Sequence, residues 1–171
     1  MAAGNIHNNL VFENVTLAFR PNFSGSDPHG YNDRHQRYFD IKLDDEMAKD
    51  LADEGWPVRT YIPKNDPDNP ILSLRVFIRF DKVPPRYAYM IVDRRPVKLN
   101  AENVGTLDYA DISNIDVEVR PYNYSQPRVG TKAMVESIYV EIRESKLYEK
   151  YADIIESSED NDDLPFDVNG D

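Results

Sequence analysis

The sequence predicts a mostly β fold, a small barrel or sandwich of short strands with little helix. Three observations carry this. Period-two alternation recurs along the chain, most plainly where Leu72, Leu74, Val76, Ile78 and Phe80 alternate with Ser73, Arg75, Phe77 and Arg79. The alternating runs are separated by clusters of Pro, Gly, Asn, Asp and Ser, such as residues 64–70 (KNDPDNP), that no strand could cross. Helical spacing is confined to one early and one late segment.

In chain order, residues 10–19 are rich in Val, Leu and Phe and read as a strand. Residues 21–34 hold Pro, Asn, Ser, Gly and Asp at a density that makes a loop. A second strand spans 37–43, with Phe39, Ile41 and Leu43 on one face. Asp44 then suits a helix N-cap, Asp45 and Glu46 suit the positive end of the helix dipole, and Gly55 stops it. Trp56, between Gly55 and Pro57, reads as core. Strands follow at 58–62, 71–80 and 87–92, the last after a Pro84-Pro85 break. Residues 93–113 are less regular, with one helical turn near 107–112. Two long strands, 115–124 and 131–143, are joined by a hairpin connection, and 145–155 looks helical.

Composition narrows the chemistry. The 171 residues are 40% hydrophobic, enough for one core, and include twelve prolines and no cysteine. Disulfides, thiolate zinc sites and cysteine nucleophiles are therefore excluded. There is no run of eighteen apolar residues and no basic-then-apolar N-terminal pattern, so a cytoplasmic location is expected. No phosphate-cradling glycine loop, Gly-x-Ser-x-Gly or His-Glu-x-x-His occurs, so no enzyme and no cofactor are expected. His29 and His35, near Asp27 and Asp33, read as polar loop residues rather than a metal site.

The net charge of −11 argues at first against a polyanionic ligand, but the charge is unevenly spread. Residues 156–171 contain seven acids and no base, which leaves 24 acids against 20 bases in the body. Six of those acids, Asp44, Asp45, Glu46, Asp50, Asp53 and Glu54, sit together at the early helix. Local field, not net charge, decides whether a groove can hold a phosphate backbone.

Binding an unpaired nucleic acid strand needs cations along the phosphates and flat rings beneath the bases. Those residue types are interleaved four times. Arg75, Phe77 and Arg79 share the unusual face of their strand. Arg120, Tyr122 and Tyr124 lead into the hairpin loop with Arg128, and Lys132 follows on the return strand. Arg20, Phe23, Tyr31, Arg34, His35, Arg37 and Tyr38 line the loop after the first strand, and Arg59, Tyr61 and Lys64 form a fourth group. Arginines are expected to meet phosphates, with Phe77, Tyr122 and Tyr124 stacking on bases. Tyr87, Tyr89 and Tyr139 read instead as strand packing. A barrel of about five strands, partly open and OB-like, with one or two short helices, is the form in which such surfaces meet oligonucleotides.

After Ile155 the chain becomes polar and acidic, which predicts a disordered tail (156–171) beside a folded domain (1–155). The tail holds one apolar island, Leu164-Pro165-Phe166, directly after Asp162-Asp163. It resembles the acidic tip of bacterial single-stranded DNA-binding proteins, in which such a motif docks replication and repair partners. The alternative is a solubilising tail. In the bacterial proteins Phe is the last residue, whereas here Asp167 to Asp171 follow it.

The body resembles phage-encoded single-stranded DNA-binding proteins of OB type over about residues 8–153. The resemblance rests on NNLVFENVTLAFRPNFSG, RYFDIKLDDEMAKDLADEGWPVR, RFDKVPPRYAYMI and the closing IDVEVRPYNY…GTKAMVESIYVEI hairpin. It implies sequence-independent coating of single strands in phage DNA replication or recombination; monomer and homodimer both stay open. Two other readings stay open: a phage structural or host-interaction β module using the same aromatics for protein contacts, and a strand-annealing protein. The early helix departs from the usual OB position, after the third strand.

Overall fold

The computed structural model describes residues 6–143 and Ile154, which is helical. The rest of the helix expected at 145–155, and the expected acidic tail, lie outside the described residues. Within them the chain is mostly β, as expected. The order is β1 (Leu10–Phe12), β2 (Arg37–Leu43), α1 (Asp45–Glu54), β3 (Val58–Tyr61), β4 (Ile71–Ile78), β5 (Tyr87–Val92), β6 (Arg95–Lys98), a 3₁₀ turn (Val104–Tyr109), β7 (Ile112–Tyr124) and β8 (Gly130–Ile142).

All eight strands belong to one sheet whose main path is β1-β7-β8-β4-β2. This five-strand path returns on itself through the segment after β1. That segment was expected to continue a single strand to residue 19, but the strand breaks after Phe12. Asn14 takes a positive φ of 55°, and its N–H donates to Asp116 Oδ1 at 2.9 Å. The chain then crosses to β2, where the Ala18 N–H donates to the Asp40 carbonyl and the Lys42 N–H to the Thr16 carbonyl, both at 2.8 Å. One bent segment thus pairs with β7 on one side and with β2 on the other. The other joint is parallel: β4 meets β8 at Val76–Ala133 and Phe77–Met134. The strands β3, β5 and β6 branch from this ring.

The inward faces follow the alternation. Phe39, Ile41, Leu74, Val76, Ile78, Val117, Val119, Val135 and Ile138 are buried in a single cluster. The 3₁₀ turn adds Val104 and Leu107, and Trp56 joins the same core as expected. Full burial of each large apolar side chain contributes about 1.5–3 kcal/mol. Helix α1 begins where Asp44 accepts from the Met47 N–H at 2.8 Å and ends at Gly55, whose φ of 107° suits glycine.

Phe23 is a correction to the sequence reading. It was expected among the base-contacting residues, but it is 0% exposed and packs on Phe39 with ring centroids 5.6 Å apart. Its backbone N–H donates to Asp108 Oδ1, which ties the loop after β1 to the 3₁₀ turn. A ring enclosed in this way has no face to offer a ligand. Phe23→Ala should therefore lower the unfolding free energy by about 3–5 kcal/mol in urea denaturation. A change below about 1 kcal/mol would contradict a core position.

Candidate nucleic-acid interface

Strand register brings separate parts of the sequence onto one outward face. Tyr38 on β2 is paired with Phe77 on β4, Phe77 with Met134 on β8, and Met134 with Arg120 on β7. One step along, Lys132 is paired with Tyr122, and then Gly130 with Tyr124. Directly paired residues point to the same side of a sheet, so this row is continuous across four strands.

The row opens into a cleft of about 670 Å³, walled on its other side by the loop after β1 and the chain that follows β4. Its lining holds six bases, Arg34, Arg37, Arg79, Lys82, Arg120 and Lys132, against the single acid Asp81. Phe77 and Tyr122 supply rings to the same cleft. A chain of net charge −11 thus carries one strongly cationic concavity.

The bases differ in how free they are. Arg79 is bound through two hydrogen bonds to Asp81, at 3.1 and 2.8 Å, and the bond from Arg79 is the main reason the Asp81 carboxyl falls to about 2. Arg120 reaches the Val135 carbonyl at 3.1 Å, the Val83 carbonyl at 2.9 Å and Glu136 at 3.3 Å. Arg37 donates to the Ala101 carbonyl at 3.2 Å. Arg34, Lys82 and Lys132 make no ion pair among the described residues. The Lys132 ammonium sits 4.8 Å from the centroid of Phe77. Burial first, and then the Arg34 and Arg79 charges, push its pKa down. A cation held beside other cations is a site short of an anion.

Eight of the residues singled out from sequence line this cleft: Arg34, His35, Arg37, Phe77, Arg79, Arg120, Tyr122 and Lys132. Tyr124 lies next to them, its ring 6.3 Å from that of Tyr122 and within 24° of parallel. Tyr122 is 56% exposed. Arg128 is exposed in the hairpin loop between β7 and β8. Others stand outside the lining. Arg75 shares the face but is bonded to Asp40. Arg59 and Tyr61 lie farther along on β3, where Tyr61 meets Phe19 edge-on at 5.5 Å. Arg20 lies over Tyr109 at 5.9 Å, and Tyr31 is 93% exposed at its loop tip. Phe23 is in the core.

The sequence reading missed Lys82 and Met134, which also line the cleft. Lys82 sits in the FDKVPP turn and carries no strand alternation to mark it. Met134 enters through the β4–β8 register alone. The tyrosines set aside as packing lie on another outward stretch: Tyr89 is stacked on Tyr139 at 6.2 Å and 9°. Tyr87 and Tyr139 border a second, smaller cavity with Arg86 and three acids, Asp116, Glu118 and Glu136, whose excess negative charge disfavours a phosphate chain. No group of three or more His, Asp or Glu suited to a metal occurs among the described residues, and no helix there is long and apolar enough to cross a membrane.

A family model described as "Putative phage ssDNA-binding domain" matches residues 3–170. No curated protein matches the sequence. Among solved structures, the chain is similar to the single-stranded DNA-binding protein from bacteriophage Enc34 in complex with ssDNA, at 12% identity and a TM-score of 0.44, over 80% of this chain and 88% of that one. It is also similar to gp2.5, a single-stranded DNA-binding protein encoded by bacteriophage T7, at 12% identity and a TM-score of 0.33, over 96% and 98% of the two chains.

Proposed function

The chain belongs to the phage ssDNA-binding domain family, and on that footing we propose that it coats single-stranded DNA without regard to sequence during phage replication or recombination. The family is one of binding domains, not enzymes. The observation that supports the reading most is the cleft in which six bases face one acid beside Phe77 and Tyr122. Cations track the phosphates there, and the rings receive bases whose identity does not matter, because every base has a π-face. The protein acts in the host cytoplasm, as a monomer or homodimer. The tail segment Asp162, Asp163, Leu164, Pro165 and Phe166 recruits replication or recombination proteins, a short anchor giving weak, exchangeable docking.

Fluorescence anisotropy with labelled single- and double-stranded oligonucleotides across a salt series tests the reading. Single strands should bind more tightly. About four phosphate contacts should give a log–log salt slope near −3. Salt-insensitive binding would indicate an apolar protein-docking surface instead.

Replacing both Tyr122 and Tyr124 by Ala should weaken single-strand binding by about 2–6 kcal/mol if both rings stack; unchanged affinity would remove them from the site. Deleting residues 156–171 removes seven negative charges and should leave affinity equal or higher. A marked loss would contradict a purely recruiting tail.

The lowered pKa of Lys132 gives a pH dependence with a defined sign. A phosphate beside Lys132 favours the charged form, so the bound state holds its proton more tightly than the free state. Affinity is therefore full at low pH and falls as pH rises through the lowered value. Lys132→Arg, which stays charged, should abolish that fall in an anisotropy titration from pH 7 upward. A Lys132→Arg profile identical to wild type would remove Lys132 from the phosphate path.

A further inference from the structure

We propose that Arg75 is a positioning residue rather than a phosphate contact: clamped by Asp40, it braces Tyr38, and Tyr38 extends the base platform begun by Phe77. This rests on the single-strand reading above.

The geometry lies on two adjacent cross-strand pairs of the same outward face, Asp40–Arg75 and Tyr38–Phe77. Arg75 Nε and Nη2 donate to the two oxygens of Asp40 at 2.8 and 3.1 Å. Asp40 is 1% exposed, so its charge is compensated from within by that fork. The same guanidinium lies 3.9 Å from the centroid of Tyr38, and Tyr38 meets Phe77 edge-on at 6.2 Å and 61°.

Two physical consequences follow. A guanidinium paired edge-on with a carboxylate has little net charge left for a phosphate, and the Nε–Nη2 fork that would grip one is already filled. A ring resting on a fixed guanidinium loses rotational freedom before any ligand arrives, which lowers the ordering cost of stacking a base on its other face. Asp40 is buried, so its charge is costly unless paired, and the Arg75 fork is what offsets that cost. Asp40 aims Arg75, Arg75 holds Tyr38, and Tyr38 widens the platform from β4 onto β2.

The test measures affinity for labelled oligothymidine across a salt series for Tyr38→Ala, Arg75→Gln, Arg75→Lys, Asp40→Asn and the Tyr38→Ala/Arg75→Gln double variant, with thermal melts to establish that each is folded. Tyr38→Ala should weaken binding roughly 5- to 150-fold, the range of one lost stacked base. Arg75→Gln should weaken it with an unchanged salt slope, and the double variant should bind no worse than Tyr38→Ala alone. Asp40→Asn should also weaken binding, although it removes a negative charge. Arg75→Lys, which keeps the charge and loses the fork, should behave like Arg75→Gln. The proposal is overturned if Arg75→Gln flattens the salt slope by about 0.7, the share of one phosphate contact, and adds its loss to that of Tyr38→Ala. It is equally overturned if Asp40→Asn binds more tightly or Arg75→Lys binds like wild type. Where Asp40→Asn or Arg75→Gln is unfolded, Tyr38→Ala and Arg75→Lys decide. Failure of the wild-type protein to bind oligothymidine would sink the single-strand reading itself, and these variant patterns arise only if it binds.

Discussion

The parallel joint between β4 and β8 is the constraint on which the candidate site depends. Only Val76–Ala133 and Phe77–Met134 are in register there, yet this short contact carries the main sheet path between the β7–β8 hairpin and the β2–β4 pair. Inward, it seats Val76 and Ala133 in the core. Outward, it sets Phe77 beside Met134 and brings Lys132 over its ring. A slip of one residue would turn Phe77 into the core and Val76 outward. The outward row and the core are therefore fixed by the same pairing, and neither can shift without the other.

The second constraint is electrostatic. The protein is strongly acidic overall, and most of its acids lie outside the cleft lining. They cluster on α1, along the outer rows with Asp116, Glu118 and Glu136, and in the segment after residue 155. Inside the cleft the single acid, Asp81, is held by Arg79. Field at a concave surface is set by nearby charges and weakly by distant ones, which salt screens over about 10 Å. An overall acidic chain and a phosphate-binding groove are compatible for that reason. The same reasoning separates the two tyrosine-bearing faces: Tyr122 lies among cations, whereas Tyr87 and Tyr139 border acids.

Much of this was legible in the sequence, for identifiable reasons. Strand β2 was legible to the residue because it alternates strictly, and β5 because an apolar run follows the Pro84-Pro85 break. The caps of α1 were read because Asp44 and Gly55 do chemistry that few other residues do as well. The break in the first strand was not legible: Asn14 takes a positive φ with no glycine to announce it. Strand β6 was missed for the same reason, since the turn before it uses Asp93 and Arg94, both at positive φ, in place of an Asn-Gly or Asp-Gly signal. At the site, aromatic and cationic interleaving marked strands that line the cleft. It could not tell Phe23, which faces inward, from Phe77, which faces out. Nor could it tell Arg75, filled by Asp40 from the next strand, from Arg34. Those distinctions are made by register between distant segments, which one-dimensional spacing does not contain.

The most direct test of the central claim is to ask which face a single strand touches. Oligothymidine carrying photoreactive bases can be crosslinked to the full chain and the modified peptides identified by mass spectrometry. The account predicts crosslinks at Phe77, Tyr122 and their neighbours in residues 77–82 and 120–132, lost when salt is raised enough to abolish binding. Crosslinks confined to Tyr87, Tyr89 and Tyr139, with none in the cationic cleft, would contradict it.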